Sequence, residues 1–284
     1  MSIEAREGYY TSPDGLDLFF RDWGDKLSPR TPVLCLPGLT RSSKDFSRLA
    51  RHIAPTRRVI CPDLRGRGRS AYDPDWRHYD ARIYLEDIRH LLASLGIARA
   101  VVVGTSLGGL LGMAMAVFVP TTLVGLIVND VGPHIDQSGS KRILAYIATD
   151  RPQPDWPSAV AHLRRALPNL SLKNDADWLE FARNTFREGN DGRLHFDWDV
   201  NLVKPLRVGH ANEVDLWRLW RALRRTPVLA IRAGLSDILS EETFARMKAE
   251  KPDLRQLTIP AIAHAPTLDE TAACEAIDDF LRPL

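Results

Sequence analysis

Residues 101–109 read Val-Val-Val-Gly-Thr-Ser-Leu-Gly-Gly and are followed by an apolar stretch over residues 110–119. The β-branched run predicts a buried strand, the glycines a sharp turn, and the apolar stretch a helix. Ser106 stands at the apex of this turn in the pattern Gly-x-Ser-x-Gly, which is typical of a nucleophile elbow. In such a turn the serine takes strained backbone angles and exposes its Oγ, and glycines let the strand and helix pack closely. We therefore expect the chain to be arranged around Ser106.

The composition indicates a globular protein. The 284 residues are 44% hydrophobic and 26% charged, and 38 basic against 36 acidic side chains leave a net charge of only +2. This balance argues against nucleic acid or an anionic membrane as the main partner. No apolar stretch reaches the roughly 18–20 residues of a membrane span. The N-terminal residues lack the apolar segment of a signal peptide.

Cysteine usage points to a reducing compartment. The chain has three cysteines, an odd number, and Cys35 and Cys61 lie inside apolar strand-like runs. Free buried thiols are expected there in preference to a disulfide. Together with the absence of a signal peptide, this predicts a cytoplasmic protein.

Strand and helix signals alternate along the first half of the chain. A hairpin is predicted over residues 5–23. Further strands are predicted at residues 32–36, 58–61, 100–103 and 123–128, and helices at residues 42–53 and 84–95. Near the C-terminus the same alternation predicts strands at residues 227–231 and 254–259 and helices at residues 240–251 and 269–281. Such alternation predicts an α/β fold with a mostly parallel, twisted sheet flanked by helices.

The alternation of strand and helix signals stops over residues 134–225. This segment has helical stretches, no convincing strand, and five of the seven tryptophans. It is far longer than the roughly 12–15 residues at which a loop of a compact domain is already unusual. We therefore predict a helical cap at residues 134–225, inserted into a core domain formed by residues 1–133 and 226–284.

The loop after the strand at residues 58–61 reads Asp-Leu-Arg-Gly-Arg-Gly-Arg-Ser from Asp63 to Ser70. A Gly-x-Gly pattern can indicate nucleotide binding, but a third glycine and a following helix are missing here. We therefore interpret this segment as a structural loop and predict no cofactor.

A serine nucleophile needs a base, and the base needs an orienting acid. The strand at residues 227–231 leads into a loop with Asp237, and the strand ending at Ile259 leads into a loop with His264. Asp237 is the expected acid and His264 the expected base. Asp130 also ends a strand and is the alternative acid.

With these motifs in this order, the chain resembles the α/β-hydrolase superfamily over nearly its whole length. The matching stretches lie at residues 36–39, 63–70, 104–109, 234–237 and 264–266. The resemblance implies an eight-stranded α/β-hydrolase fold with Ser106 as nucleophile, His264 as base and Asp237 as acid. It also implies an oxyanion hole formed by the backbone N–H groups of Leu39 and Leu107. Many members have His-Gly where this chain has Pro37-Gly38, which leaves the backbone donor in place.

The substrate is expected to be a small or medium apolar ester, cleaved through an acyl-enzyme. Lactone, amide and carbon–carbon bond hydrolysis on the same triad are alternatives, and a non-catalytic ligand-binding protein is a further one. Arg41, Trp217 and Trp220 are candidates for the substrate pocket, although a solvated helix start is the favoured explanation of Arg41. No metal-ligand spacing occurs in the sequence. The sequence leaves open whether the chain forms a homodimer.

Overall fold

A computed structural model describes residues 4–208 and 215–284 of the chain. The strands in chain order are β1 (Arg6–Thr11), β2 (Asp17–Trp23), β3 (Val33–Leu36), β4 (Val59–Pro62), β5 (Ala100–Thr105), β6 (Leu123–Asn129), β7 (Phe186–Glu188), β8 (Leu194–Phe196), β9 (Val228–Ala233) and β10 (Arg255–Ile259). The helices are α1 (Ser47–Ile53), α2 (Ala81–Ser94), α3 (Leu107–Phe118), α4 (Gln137–Ile147), α5 (Trp156–Ala166), α6 (Asp175–Thr185), α7 (Lys204–Val208), α8 (Leu216–Ala222), α9 (Glu241–Glu250) and α10 (Thr271–Leu281).

Eight of the strands form one sheet in the order β1-β2-β4-β3-β5-β6-β9-β10. β1 pairs with β2, and β2 with β4, in antiparallel fashion, whereas every pair from β4 to β10 is parallel. The predicted α/β fold with a mostly parallel eight-stranded sheet is therefore confirmed. Because the strands from β4 to β10 run in one direction, the loops that follow them lie along one edge of the sheet.

Apolar layers cover both faces of the sheet. Alternate residues of β5 face opposite layers, since Val102 packs in one buried cluster and Val101 and Val103 in the other. β3 and β4 are buried along their whole length. Their continuous apolar sequences are thus explained by helices on both faces.

Helix starts follow local capping. The apolar periodicity predicts a helix from residue 84, but α2 begins at Ala81. The Asp80 carboxylate accepts a hydrogen bond from the backbone N–H of Arg82 at 2.9 Å and so caps the earlier turn.

The chain between β6 and β9 contains α4 to α8 and a short hairpin formed by β7 and β8. The hairpin contradicts the expectation that residues 134–225 contain no strand. Each of its strands has three residues, too few for an alternating pattern to be visible in the sequence. The division into a core domain and a cap stays a prediction, and residues 1–3 and 209–214 of these predicted units lie outside the described residues.

Cys35 and Cys61 are buried free thiols, and Cys274 is also free. Among the described residues, none of the helices has both the length and the apolar character that a membrane crossing requires.

Candidate active site

Ser106 lies between β5 and α3 with φ 51° and ψ −115°, in the left-handed region that favours glycine. Its backbone N–H donates to the carbonyl oxygen of Asn129 at 3.0 Å. A Cβ on Gly108 would lie 2.0 Å from the carbonyl oxygen of Leu36, and one on Gly104 would lie 2.3 Å from the backbone of Gly108. The glycines are required because α3 crosses so close to its neighbouring strands. The structure thus places Ser106 at the apex of the predicted turn.

His264 is held by Asp130. The imidazole Nδ1 lies 2.7 Å from Oδ2 of Asp130, whose side chain is completely buried at the end of β6. Since Nδ1–H donates to this carboxylate, Nε2 is left as the proton acceptor of the ring. Ser106 and His264 line the same cavity.

Three donors converge on the Asp130 carboxylate. Oδ1 accepts from the backbone N–H of Ala233 at 2.8 Å, and Oδ2 accepts from the Ser236 hydroxyl at 2.8 Å as well as from His264. Asp130 itself has φ 53°. This network fixes the carboxylate in one orientation toward the imidazole.

The expectation that Asp237 orients His264 is corrected by this geometry. The Asp237 carboxylate instead accepts from Arg142 of α4 at 2.6 and 2.9 Å. This hydrogen-bonded guanidinium holds the pKa of Asp237 below its ordinary value. In the loop after β9, therefore, the residue that hydrogen-bonds to the aspartate paired with His264 is Ser236 and not Asp237. Asp237 joins the loop to a helix of the predicted cap.

The backbone N–H groups of Leu39 and Leu107 are the predicted oxyanion donors. Leu107 is the first residue of α3, and Leu39 lies in the turn closed by the hydrogen bond from Arg41 N–H to Gly38 O. Within residues 4–208 and 215–284, neither Leu39 N–H nor Leu107 N–H donates to a protein acceptor. A helix N-terminus also favours negative charge.

The cavity beside Ser106 is apolar on the side built by the predicted cap. Its apolar lining there comes mainly from Ile143, Tyr146, Ile147, Leu167, Leu170, Leu172 and Phe181. Burial raises the pKa of Tyr146 to about 12, so the phenol is neutral. Tyr146 and Phe181 were not among the sequence candidates. Helical periodicity locates an apolar face but not the cavity against which it packs.

Arg41 lines the cavity, and its charge is compensated. Its guanidinium donates to both oxygens of Asp45 and to the Thr185 hydroxyl, and it stacks on the Phe181 ring at 4.2 Å. Burial alone would lower the pKa of Arg41, but the Asp45 carboxylate raises it above its ordinary value.

The other cations of the lining are paired as well. They form the ion pairs Lys44–Asp197, Arg48–Asp177 and Arg142–Asp237. The cavity therefore presents no basic side chain without a carboxylate partner among the described residues.

Trp217 and Trp220 do not line this cavity, which corrects their assignment to the substrate pocket. Trp220 is 1% exposed and packs in the main core. Trp217 is covered by Arg246, whose guanidinium carbon lies 3.8 Å from the indole ring centre. Both tryptophans belong to α8, where an apolar face packs on α3.

One group of potential metal ligands occurs among the described residues, formed by Asp14, Asp73 and His78. Arg65 donates to Asp14 at 2.7 Å and to Asp73 at 2.6 Å, so both carboxylates already share a guanidinium partner. None of the three residues lines the cavity of Ser106.

Comparison with known proteins agrees with this fold. A profile of the alpha/beta hydrolase family matches residues 33–277, and the chain belongs to that family. It is a hydrolase. It is 33% identical to a 3-hydroxybutyrate-oligomer hydrolase from Cupriavidus necator, with 99% of each chain covered.

Two further similarities extend this finding. The crystal structure of an alpha/beta hydrolase from Novosphingobium aromaticivorans is 41% identical, with a TM-score of 0.92 and 99% of each chain covered. An sn-1-specific diacylglycerol lipase from Mus musculus is 28% identical over 85% of this chain and 76% of its own.

Proposed function

We propose that this hydrolase cleaves a carboxylic ester of a small or medium apolar substrate through an acyl-enzyme. The observation that carries the proposal is the hydrogen bond between His264 and buried Asp130, in the cavity that also exposes Ser106. Serine is a poor nucleophile by itself, and a neutral imidazole with a free Nε2 is the base that it needs.

The reaction begins when Ser106 Oγ attacks the ester carbonyl and its proton passes to Nε2 of His264. Asp130 stabilises the imidazolium that forms. The N–H groups of Leu39 and Leu107 donate to the developing oxyanion, and one such donor contributes about 3 kcal/mol to transition-state stabilisation. The imidazolium then protonates the leaving alcohol. A water molecule, activated by His264, hydrolyses the acyl-enzyme.

The paired charges of the lining support a neutral substrate, since an anionic group would have to displace a carboxylate already bound to each arginine. The apolar side chains of α4 and α6 suit an aliphatic or aromatic group. The similar proteins from Cupriavidus necator and Mus musculus carry the names of ester-cleaving enzymes. Ester hydrolysis is therefore preferred over lactone, amide or carbon–carbon bond cleavage.

The test uses aryl esters of increasing acyl length, 3-hydroxybutyrate oligomers, lactones, amides and vinylogous diketones. We expect a burst of product with an activated short-chain aryl ester and covalent labelling by a fluorophosphonate probe. Ser106→Ala should abolish both, because it removes the Oγ that carries the acyl group in the proposed reaction. Absence of a burst and of ester hydrolysis across the panel would overturn the proposal.

A further inference from the structure

Arg67 is a buried cation that the proposed reaction does not yet use. It lies in the loop after β4, between Gly66 and Gly68, and its side chain is completely buried. Both glycines have positive φ, 78° and 56°. A Cβ on Gly66 would strike the Tyr79 ring at 2.7 Å, and one on Gly68 would lie 2.2 Å from the Asp63 carboxylate. The Gly-x-Gly pattern thus allows the tight turn that directs Arg67 inward.

The guanidinium of Arg67 is aimed at the loop after β3. Its Nε donates to the carbonyl oxygen of Leu39 at 2.7 Å. Its Nη1 donates to the carbonyl oxygen of Arg65 at 2.6 Å and to the Tyr84 hydroxyl at 2.8 Å. Leu39 is a central residue of the turn closed by Arg41 N–H and Gly38 O. Its carbonyl is not part of that closing bond and is satisfied by Arg67.

The charge of Arg67 faces aromatic rings and not a carboxylate, since the guanidinium carbon lies 4.8 Å from the centre of the Tyr84 ring and 5.9 Å from that of the Tyr79 ring. No carboxylate of the described chain pairs with it, and its Nη2 has no hydrogen-bond partner there. The neighbouring Arg65, in contrast, pairs with Asp87 at 2.6 Å and with two further carboxylates. An unpaired buried cation costs folding free energy. In a low-dielectric site, however, the same charge stabilises negative charge that develops nearby.

We propose that Arg67 is a positioning residue of the oxyanion hole. By holding the carbonyl of Leu39, it fixes the orientation in which the N–H of the same residue faces the cavity, and its buried charge favours the oxyanion. This inference rests on the proposed function, because it assigns Arg67 to the transition state of acyl transfer at Ser106.

The loop is anchored from two sides in a way that serves this role. Asp63 accepts from the backbone N–H of Ser43 at 2.6 Å and from that of Arg69 at 2.9 Å. The backbone N–H of Gly68 donates to the carbonyl oxygen of Asp197, and the backbone N–H of Asp199 donates to the carbonyl oxygen of Gly66. The loop is thus tied both to the chain after the Leu39 turn and to the predicted cap, which limits the movement of Arg67.

The test compares Arg67→Met with Arg57→Met. Arg57 is the matched control because it is 2% exposed and donates to two carbonyl oxygens, of Thr31 and Leu281, away from the cavity. Both variants lose a buried guanidinium. We expect kcat for an activated ester to fall about 10- to 100-fold in Arg67→Met with little change in KM, and to stay within about twofold in Arg57→Met.

A second readout isolates the oxyanion. An alkyl trifluoromethyl ketone forms an anionic adduct with the serine, whereas the matching methyl ketone measures neutral binding. In Arg67→Met, inhibition by the trifluoromethyl ketone should weaken by about the same factor as kcat/KM, and that by the methyl ketone should not change. If Arg67→Met does not fold, Tyr84→Phe is used instead, because it removes one hydrogen bond of Arg67 and keeps the guanidinium. Tyr84→Phe should lower kcat/KM and the affinity for the trifluoromethyl ketone about 3-fold or more.

The outcomes separate the two proposals. An active wild-type protein in which Arg67→Met or Tyr84→Phe leaves kcat and trifluoromethyl ketone affinity unchanged, or raises KM alone, overturns the role of Arg67. A wild-type protein that neither hydrolyses esters nor reacts with a fluorophosphonate overturns the proposed function, and the role of Arg67 falls with it.

Discussion

At the scale of single residues, the backbone decides which carboxylate meets His264. Asp130 is the residue directly after β6, and its φ of 53° turns the side chain inward, where Ala233 N–H and the Ser236 hydroxyl bind it. Asp237 stands one residue beyond Ser236 and is drawn to Arg142 instead. Two aspartates at similar strand ends thus acquire different roles through the groups around them.

Substituting each aspartate by asparagine tests this assignment. Asp130→Asn should lower kcat about 10⁴-fold, because an amide cannot stabilise the imidazolium and favours the wrong tautomer of His264. Asp237→Asn serves as the control and should retain most of the activity. Steady-state kinetics on one activated ester measure both. The assignment is wrong if the two variants show the opposite pattern.

At the scale of elements, the position of Ser106, the proposed nucleophile, depends on how closely α3 packs against the sheet. The first turn of α3 crosses β3 at Gly108, whose α-carbon faces the carbonyl of Leu36. Farther along the helix, Gly112 faces the Leu126 side chain. The elbow is therefore held by backbone contact at its start and by side-chain packing after it.

Alanine at these two glycines should have unequal effects. Gly108→Ala places a Cβ 2.0 Å from the backbone oxygen of Leu36, which cannot move without disturbing β3, and should destabilise the fold by about 3 kcal/mol. In Gly112→Ala the Cβ meets the flexible end of the Leu126 side chain at 2.5 Å. The better helix propensity of alanine offsets about 1 kcal/mol of the resulting loss in stability, so this variant should be destabilised less than Gly108→Ala. Urea denaturation of both variants measures the difference. Equal losses would show that close backbone packing at Gly108 is unimportant.

At the scale of the whole molecule, ion pairs join the predicted cap to the core around the cavity. Arg48 of α1 contacts Asp177 and Glu180 of α6, and Arg142 of α4 contacts Asp237 after β9. Isolated surface ion pairs contribute little to stability. Here, however, they connect elements distant in sequence, and several surround one cavity.

These pairs predict an acid-sensitive fold. The guanidinium groups of Arg48 and Arg142 hold the pKa values of Asp177 and Asp237 below their ordinary value of 3.8. A carboxyl group with a lowered folded-state pKa stabilises the fold above its unfolded pKa, and this contribution is lost as the pH falls through the folded value. We expect the Tm of the wild-type protein to fall more steeply below pH 3.8 than that of the Asp177→Asn/Asp237→Asn double variant.

Thermal unfolding followed by circular dichroism from about pH 2 to about pH 7 checks this prediction. At neutral pH the double variant should be less stable than the wild type. At the acid end the two Tm values should converge, because both proteins then lack the two charges. Parallel curves over the whole range would contradict a stabilising role for these ion pairs.

The sequence by itself determined the alternating elements, the position of Ser106 at a turn and the late histidine. These features depend on local patterns, namely apolar runs bounded by turns and glycines where backbones touch. The β7–β8 hairpin, the partner of His264 and the lining of the cavity were decided only by the tertiary structure. Each depends on contacts between residues far apart in the chain.

The two arginines of one loop illustrate the physical reason. Arg65 and Arg67 are two residues apart in the same Gly-rich sequence, and no local pattern distinguishes them. Folding surrounds Arg65 with carboxylates, whereas Arg67 donates to two carbonyl oxygens and a hydroxyl and pairs with no carboxylate of the described chain. Burial and the identity of the facing groups set the energy of a charge, and both are properties of the folded chain rather than of its local sequence.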